Sequence, residues 1–416
     1  MAEYRINGKR RLSGEVWVQG AKNSALPILA ASLLTDGQSV IRNCPRLSDT
    51  EAALQILREC GCKAIWQQDA VILNTDTFSK SEISPDLCGR MRSSVVFLGP
   101  LLARTHRAEL SLPGGCRLGA RPIDLHLQGL AQMGAVIRFE EDRLICHAPQ
   151  GLHGSRITLR FPSVGATENL MMAATLAQGT TVLQGCAREP EIADLAAYLN
   201  RCGAKILGAG ESFIQIVGVP RLFGCEYTVM GDRIAAMTYL IAGAMTNGDV
   251  TVRGIHPRLM AAPLRKLLQT GKNLCCNENS CRLSGNRPLM AIPFVGTGPY
   301  PDFPTDCLPL FFSMGAAAEG SGVFVENIFE NRFSTADDLI RMGGCIYRQG
   351  RVAAVRGTRL HGEPVCARDL RGGAGLVLAA LAAEGTTIVD GVHWIRRGYE
   401  RLWEDLSRLG AEICKK

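Results

Sequence analysis

Apolar helices recur along the chain, and each is followed by a short strand that opens with Gly or Thr. The copies are about 70 residues apart, so each is a whole supersecondary unit rather than a small solenoid repeat. Six copies are present, and they cover residues 24–43, 93–112, 167–185, 233–254, 307–327 and 373–391.

A second helix follows in every copy and ends in a Leu-x-x-x-Gly pattern. This helix is amphipathic, as in LRKLLQTG, so we expect one of its faces to meet solvent. Glycine directly after a helix is a common termination signal. The terminal glycines are Gly61, Gly134, Gly203, Gly271, Gly343 and Gly410.

The first helix of each copy is apolar nearly all round, as in residues 26–34 and 376–381. Such a helix must be buried on most sides. The strands alternate weakly, which fits sheets with one wet face. The pattern therefore predicts helices inside and sheets outside.

Six units around one axis would bury too much for one core, so we expect two domains of three units each. The first domain is predicted at residues 22–229. The second is predicted to combine residues 1–21 with residues 230–416, because the phase of the repeat lets the first strand complete the last unit.

Composition is that of a globular protein, with 46% apolar and 20% charged residues among 416. No apolar run reaches bilayer length and the first residues show no secretory pattern, so we expect a cytoplasmic protein without a membrane partner. The net charge of +7 suits an anionic ligand, but Lys/Arg tracts are missing and nucleic acid is not favoured. The oligomeric state stays open.

Sixteen cysteines without an export signal predict reduced thiols. Cys60, Cys202 and Cys345 lie in helical or strand patterns, where cysteine acts as a small buried apolar residue. The group at 275, 276 and 281 has no nearby histidine and no second Cys-x-x-Cys, so no zinc site is expected. Nucleotide-binding glycine motifs are also missing, and we expect no metal and no cofactor.

Cations stand at several starts of the apolar helices, where they oppose the helix dipole. Lys22, Arg92 and Arg371 are the clearest cases. An anion bound at the helix N-terminus would stabilise such cations, so the pattern predicts an anion site. The alternative is that these side chains pair with nearby carboxylates such as Asp369. Thr167, Thr305 and Asp232 are predicted to be ordinary helix caps.

A glycine-rich loop, LPGGCRLGARPID, spans residues 112–124 and contains Cys116. Glycine permits backbone conformations that other residues avoid, and the neighbouring Arg117 and Arg121 lower the pKa of a thiol. The loop therefore predicts a reactive cysteine, although an incidental surface thiol remains the alternative.

Several motifs together resemble one family over essentially the whole chain. They are GAKNSALPILAASLL, LPGGCRLGARPIDLHLQGL, FPSVGATENLMMAATLAQGTTV, REPEI, YPDFPTD, FENRF and RGYERL. The chain is similar to the UDP-N-acetylglucosamine enolpyruvyl transferases (1-carboxyvinyltransferases). This resemblance implies an α/β (α+β) fold, an inside-out α/β barrel of two similar domains, each with three βαβαββ units and buried helices. It also implies an active site between the domains.

The implied reaction transfers enolpyruvyl from phosphoenolpyruvate to the 3′-hydroxyl of UDP-N-acetylglucosamine by addition and elimination, releasing phosphate. It is the first committed step of peptidoglycan synthesis in the bacterial cytoplasm. These two small molecules are the implied partners, and the resemblance implies no metal or cofactor.

The resemblance also implies roles for individual residues. Cys116 matches the general acid and Asp306 the base for the hydroxyl, with Lys22 and Arg397 as further catalytic residues. The residues that match substrate contacts are Lys22, Asn23, Arg92, Arg121, Pro122, Ile123, Asp124, Leu125, Ser163, Val164, Gly165, Glu189, Asp306, Ile328, Asp369, Arg371 and Arg397.

The chain departs from the family pattern at Ala235-Ala236-Met237, at Cys307-Leu308-Pro309-Leu310 and at Thr297-Gly298-Pro299. The family usually has Glu-Thr-Gly, Gln-Ala-Gln and Thr-Ala-Pro there. Two alternatives therefore stay open. One is a weakened paralogue that binds the nucleotide sugar in a regulatory role. The other is the shikimate-pathway enolpyruvyl transferase, against which the Cys116 loop argues.

Overall fold

The structure is a computed structural model that describes residues 3–111 and 123–416. The helices are α1 Lys22–Ala31, α2 Ser48–Glu59, α3 Pro85–Arg90, α4 Leu98–Thr105, α5 Asp124–Gln132, α6 Val164–Ala174, α7 Pro190–Arg201, α8 Arg233–Met245, α9 Ala261–Leu268, α10 Leu308–Ala317, α11 Ala336–Arg341, α12 Leu370–Ala382, α13 Val392–Ile395 and α14 Leu402–Arg408. Short 3₁₀ helices include Arg92–Phe97 and Thr305–Cys307.

The strands are β1 Tyr4–Asn7, β2 Ser13–Trp17, β3 Thr35–Asp36, β4 Gln38–Arg42, β5 Lys63–Gln67, β6 Ala70–Asn74, β7 Glu82–Ile83, β8 Arg107–Ser111, β9 Val136–Glu140, β10 Arg143–His147, β11 Arg156–Thr158, β12 Thr180–Gln184, β13 Lys205–Leu207, β14 Phe213–Val217, β15 Leu222–Phe223, β16 Glu226–Thr228, β17 Asp249–Arg253, β18 Asn273–Cys276, β19 Ser280–Ser284, β20 Phe294–Gly296, β21 Ser321–Val325, β22 Cys345–Gln349, β23 Val352–Arg356, β24 Pro364–Cys366, β25 Thr386–Asp390 and β26 Glu412–Lys415.

The described residues divide into two compact units. Residues 20–111 and 123–230 make the first unit, and residues 3–19 with Gly231–Lys416 make the second. Each unit has its own cluster of buried apolar side chains.

Each unit contains three four-stranded sheets among its described residues. In the first unit their strand orders are β16-β4-β6-β5, β7-β8-β10-β9 and β11-β12-β14-β13, and β3 pairs separately with β15. In the second unit the orders are β18-β19-β17-β2, β20-β21-β23-β22 and β24-β25-β1-β26. In every four-stranded sheet one edge strand is parallel to its neighbour and the other pairs are antiparallel. In four of the sheets the parallel strands are neighbours in sequence and bracket an apolar helix, as β11 and β12 bracket α6, which gives the βαβαββ unit. In the other two the parallel partners, β4 with β16 and β2 with β17, are distant in sequence.

The apolar helices lie in the interior, as their sequence predicts. All thirteen residues of α8 are buried, and so are all residues of α12 after Leu370. Strands such as β23 alternate between buried and exposed positions, so their sheets keep one face in solvent. The prediction of helices inside and sheets outside is confirmed. Among the described residues no helix is long and apolar enough to cross a bilayer.

The glycines after the second helices all adopt positive φ, between 79° at Gly271 and 107° at Gly203. A side chain at such a φ is strained, which explains why glycine ends each helix in the repeat.

The first strand of the chain completes the sheet of the last repeat. β1 lies between β25 and β26 and is antiparallel to both. β2 instead pairs in parallel with β17, in the sheet of the fourth repeat. The two segments that precede the first helix therefore serve two different sheets of the second unit.

The prediction that all cysteines are reduced thiols is wrong for one pair. Cys276 and Cys281 form a disulfide across the β18–β19 hairpin. They are direct cross-strand partners with Cα atoms 4.2 Å apart, the short spacing of a non-hydrogen-bonded pair. Burial is confirmed for Cys60 and Cys202, but Cys345, the first residue of β22, is exposed.

Candidate active site

Asp306 shares its carboxylate between two buried arginines of the second unit. Its Oδ1 accepts a hydrogen bond from Arg332 Nη2, and its Oδ2 accepts one from Arg371 Nε at 3.2 Å. Only 3% and 2% of the two arginine side chains are exposed, against 27% for Asp306. The arrangement holds a partly exposed carboxylate in place between two cations.

The guanidinium group of Arg371 has two further nitrogen donors besides Nε. Its Nη1 and Nη2 atoms are buried, and among the described residues neither has an acceptor in good hydrogen-bond geometry, although the Tyr399 side chain interacts with the guanidinium group. The guanidinium group lies 5.4 Å from the centre of the Tyr399 ring. Buried guanidinium donors without an acceptor are costly, so an anionic oxygen at this point would relieve that cost.

Asp369 is not the partner of Arg371. It caps α12, accepting hydrogen bonds from Gly372 N at 2.8 Å and from Ser334 Oγ at 2.6 Å. The alternative that these helix-start cations pair with nearby carboxylates therefore holds for Arg371, but its partner is Asp306 and not Asp369.

A buried carboxylate, Glu326, organises the segments on both sides of Asp306. It accepts from the hydroxyls of Thr297 at 3.0 Å and Thr305 at 2.8 Å. It also accepts from the backbone N–H groups of Ile328 at 2.7 Å and Phe329 at 3.0 Å. Thr305 therefore bonds with its side chain and is not the helix cap that we expected.

Arg332 belongs to the same network. Its Nε donates to the carbonyl and hydroxyl oxygens of Thr305, at 3.3 and 3.2 Å, and its guanidinium group lies 5.1 Å from the Phe329 ring centre. The backbone at Ile328, the hydroxyl of Thr305 and the carboxylate of Asp306 are thus set by two buried charged groups, Glu326 and Arg332.

Arg397 follows the short helix α13 and is half-buried, with its guanidinium group 5.7 Å from the Trp394 ring centre. Two residues later, Tyr399 packs beside Arg371. The described contacts therefore place Arg397 on a segment that is tied to the Asp306 network through Tyr399.

In the first unit, Lys22 is the first residue of α1, and its Nζ lies 3.3 Å from Asp49 Oδ2. Asp49 is buried, so the pair is shielded from water. The neighbouring Asn23 is exposed.

Asn169 ties together three segments that carry predicted substrate contacts. Its Oδ1 accepts from Gly99 N at 2.6 Å, and its Nδ2 donates to Val95 O at 2.6 Å and to His126 Nδ1 at 2.8 Å. Val95 lies in the 3₁₀ helix that begins at Arg92. His126 is in α5, and Asn169 itself is in α6.

His126 is neutral in this setting. Burial lowers its pKa to about 4, although the charge of Asp124 opposes that shift. Since Nδ1 accepts from Asn169, the ring proton is on Nε2. A Cβ placed on Gly165 would lie 3.2 Å from His126 Cε1, so the absence of a side chain there lets the ring approach α6.

The start of α6 is capped by Ser163, whose side chain accepts from Ala166 N at 3.3 Å. Val164 and Gly165 are the first residues of the helix. Thr167 was predicted to be the cap, but it donates to the Ser163 carbonyl and accepts from Ala187 N. The predicted cap at Asp232 is confirmed, with bonds from the N–H groups of residues 234 and 235.

The contacts predicted at the start of α5 lie on its first turn. Ile123 precedes the helix, Asp124 forms an ion pair with Arg160, and Ile123 and Leu125 pack against the core. Glu189 precedes α7 and lies near Glu168, a buried residue of α6. Burial, and then the charges of Glu191 and Glu189, raise the pKa of Glu168 well above its usual range.

Cys116, Arg121 and Pro122 lie outside the described residues. Arg92 begins its 3₁₀ helix, and only its backbone is described. In the part of the chain that is described, no cluster of His, Cys, Asp or Glu side chains could hold a metal ion.

No sequence pattern singled out Arg332, Glu326 or Asn169 as functional residues. Arg332 lies within FENRF and Asn169 within the TEN stretch that begins an apolar helix. A buried Asn or Glu in an otherwise apolar setting was the available signal, since buried polar groups need partners.

Comparison with known proteins gives a concordant result. Residues 6–406 match the family model described as EPSP synthase (3-phosphoshikimate 1-carboxyvinyltransferase). The protein named UDP-N-acetylglucosamine 1-carboxyvinyltransferase 2 from Caldanaerobacter subterraneus is 46% identical over all of both chains. UDP-N-acetylglucosamine 1-carboxyvinyltransferase from Trichlorobacter lovleyi is 45% identical over 98% of this chain and 97% of its own.

Solved structures agree on the fold. The enolpyruvyl transferase NikO from Streptomyces tendae superposes with a TM-score of 0.89 at 27% identity, covering 100% of this chain and 99% of its own. EPSP synthase from Acinetobacter baumannii, at 19% identity and a TM-score of 0.77 over the full length of both chains, shares the fold. The chain belongs to the EPSP synthase family, whose members are enolpyruvyl transferases. Within that family, its full-length relatives carry the name UDP-N-acetylglucosamine 1-carboxyvinyltransferase.

Proposed function

We propose that the protein transfers the enolpyruvyl group of phosphoenolpyruvate to the 3′-hydroxyl of UDP-N-acetylglucosamine, with release of phosphate. The observation that carries this proposal is the identity of 45–46% over nearly the whole chain to relatives that bear the name of this activity. The Asp306 network supports it, because both substrates are anionic and Arg371 has buried donors that lack an acceptor in good hydrogen-bond geometry among the described residues.

The reaction needs two proton transfers in its first half. A proton goes to the methylene carbon of phosphoenolpyruvate, the sugar hydroxyl loses its proton, and the oxygen bonds to the adjacent carbon. The tetrahedral adduct then loses a proton from its methyl group and phosphate leaves, which restores the enol ether. Groups that donate and accept protons, together with fixed cations, suffice for these steps.

We propose Cys116 as the acid in the first half and Asp306 as the group that receives the hydroxyl proton. Asp306 is partly exposed and held by Arg332 and Arg371, so it meets the need for a fixed, accessible carboxylate. Lys22, positioned by Asp49, is proposed to bind phosphoenolpyruvate.

The remaining predicted contacts keep their proposed roles. Arg92, Arg121, Asp369, Arg371 and Arg397 are proposed for the charged parts of the substrates. The nucleotide sugar is proposed to contact Asn23, Pro122, Ile123, Asp124, Leu125, Ser163, Val164, Gly165, Glu189 and Ile328.

The departures from the family pattern do not favour a purely regulatory protein. Residues 235–237 and 307–310 are buried, and their side chains fill the core of the second unit. Thr297 is present and donates to Glu326. These substitutions are therefore compatible with an intact Asp306 network.

Phosphate release is the direct test. The protein is incubated with UDP-N-acetylglucosamine and phosphoenolpyruvate, and phosphate is measured against reactions that lack either substrate. Release that requires both substrates supports the proposal. Binding of the nucleotide sugar without phosphate release would favour the regulatory paralogue. Phosphate release with shikimate 3-phosphate as the acceptor would favour the shikimate-pathway enolpyruvyl transferase.

We also propose a cellular role, which follows from the same chemistry. The product is a peptidoglycan precursor, so the enzyme is proposed to act in the bacterial cytoplasm in cell-wall synthesis, and thereby in cell shape, the cell cycle and division. Fosfomycin is proposed to alkylate Cys116. A Cys116→Ser variant that keeps full sensitivity to fosfomycin would refute the assignment of this thiol.

A further inference from the structure

Two free cysteines of the first unit lie in contact. Cys202 follows the last residue of α7 and is buried, whereas Cys225 lies between β15 and β16 and is partly exposed. Their Sγ atoms are 3.5 Å apart, although 23 positions separate them in the chain. This is the distance of a sulfur–sulfur hydrogen bond and not of a disulfide.

The backbone holds both residues in this arrangement. Phe223 N, in β15, donates to Cys202 O at 2.9 Å, which joins the end of β15 to the end of α7. Cys225 O accepts from Val40 N at 2.9 Å, and Cys225 N donates to Ser39 Oγ at 3.4 Å. The two thiols are therefore neighbours by construction of the fold.

The environment makes the two thiols unequal. The hydrogen bond from Cys202 lowers the pKa of Cys225 despite partial burial, and the charge of Arg201 acts in the same direction. The same hydrogen bond, followed by burial, raises the pKa of Cys202. The more exposed sulfur is thus also the one with more thiolate character, which is the combination that reacts with oxidants.

We propose that Cys202 and Cys225 are a thiol-oxidation site that small disulfides such as oxidised glutathione convert into an intramolecular disulfide. Cys225 thiolate attacks one glutathione sulfur, which forms a mixed disulfide and releases one glutathione thiolate. Cys202 then gives up its proton and attacks the Cys225 sulfur, which releases the second glutathione. Two protein thiols are oxidised and one glutathione disulfide is reduced to two thiols, so electrons and atoms balance.

The bond reinforces a contact that the native first unit already makes. Tyr227 on β16 donates to Asp194 of α7 at 2.6 Å and packs edge-on against Tyr198, 5.6 Å between ring centres. A disulfide two residues before Tyr227 adds a covalent link between the same elements. The oxidised protein should therefore keep its fold and resist unfolding better, because the link constrains the unfolded chain.

The test is peptide mapping of the full-length protein after incubation with oxidised glutathione, digested without reduction. We expect a linked peptide pair containing Cys202 and Cys225 that disappears on reduction, and a higher melting temperature that reduction reverses. Oxidation at exposed thiols such as Cys345 or Cys414 without the Cys202–Cys225 pair would overturn the proposal.

Two variants separate the attacking thiol from the resolving one. Cys202→Ser should accumulate glutathione on Cys225, because no resolving thiol remains. Cys225→Ser should leave Cys202 unmodified, because that sulfur is buried. Cys345→Ser, at an exposed position of the second unit, is the matched control and should form the linked pair like the parent. Glutathione on Cys202 in the Cys225→Ser variant would contradict the proposed order. The formation of the linked pair is measured first in the unsubstituted protein. The proposal can therefore be tested even if a variant folds poorly.

Discussion

Thr305 donates a 2.8 Å hydrogen bond to the buried carboxylate of Glu326, and Thr305 is the residue directly before Asp306. The same carboxylate binds the backbone N–H of Ile328. One buried acid therefore fixes two segments to which the proposed site assigns a base and a sugar contact.

Replacing Glu326 by Gln is expected to loosen both segments. Gln keeps the shape but loses the charge and brings an N–H₂ donor to a place where four donors already converge. We expect stability to fall by about 1–3 kcal/mol and kcat/KM to fall at least about tenfold. Denaturant unfolding and phosphate-release kinetics measure the two effects. The matched control is Glu330→Gln, on the same segment but exposed, and it should behave like the parent. An unchanged kcat/KM in Glu326→Gln would refute the positioning role.

Replacing Asp306 by Asn tests the proposed base. A positioned acid or base contributes about 10²–10⁴-fold, so kcat should fall by that factor. Binding of UDP-N-acetylglucosamine, measured by calorimetry, separates loss of chemistry from loss of structure. Asp302→Asn, an exposed neighbour, is the control. If Asp306→Asn kept more than about a tenth of the parental kcat, Asp306 would not be the base.

Asn169 is expected to matter for substrate affinity as well as for stability. Asn169→Ala leaves Gly99 N, Val95 O and His126 Nδ1 without their partner, at a cost of about 2–4 kcal/mol. We also expect KM for UDP-N-acetylglucosamine to rise several-fold, because three segments lose their common fixed point. Asn200→Ala is an informative comparison, since Asn200 also bonds two backbone groups, those of Ile206. It should lower stability and leave KM unchanged. Equal effects on KM would assign Asn169 a purely structural role.

Stability should depend on pH through His126. Its folded-state pKa of about 4 lies below the usual 6.5. Below pH 6.5 the unfolded chain gains a proton that the folded protein does not take up until about pH 4. The contribution of His126 is therefore complete above pH 6.5 and falls by about 3 kcal/mol as the pH drops to 4.

The measurement is the pH dependence of the unfolding free energy in the parent and in His126→Asn. Taking the difference between the two removes the opposite effect of Glu168, whose raised pKa favours the folded state at low pH. We expect the parent to lose stability more steeply than the variant between pH 6.5 and 4. His153→Asn, at an exposed histidine, should retain the parental slope. Parallel curves for the parent and His126→Asn would show that the ring is not held neutral.

Local features of the fold were predictable from the sequence. Gly203 and its five counterparts were predictable as helix ends, because the preference of glycine for positive φ belongs to the single residue. The burial of α8 was predictable because its composition is apolar. Long-range partners were not predictable in this way. The pairing of Arg371 with Asp306 joins positions 65 apart, and nothing in either helix start indicates it.

The same limit applies to the polar groups in the interior. Glu326 stands in a strand-to-loop segment, and its sequence gives no sign that four donors converge on it. The Cys276–Cys281 bond depends on hairpin register, which is set by the turn between the strands. The family resemblance supplied the residue identities, but the geometry explains how Arg332 and Asn169 support them.

The place of β1 between β25 and β26 affects the order in which the chain can fold during synthesis. Residues 20–230 emerge together and can collapse early, as sequential domains generally do. β1 leaves the ribosome before the first unit, yet both of its neighbours are made after that unit. Until then its backbone donors and acceptors lack their native strand partners and are exposed to wrong pairing. The second unit therefore combines segments made before and after the first unit, and we expect its completion to be the slow step of biogenesis.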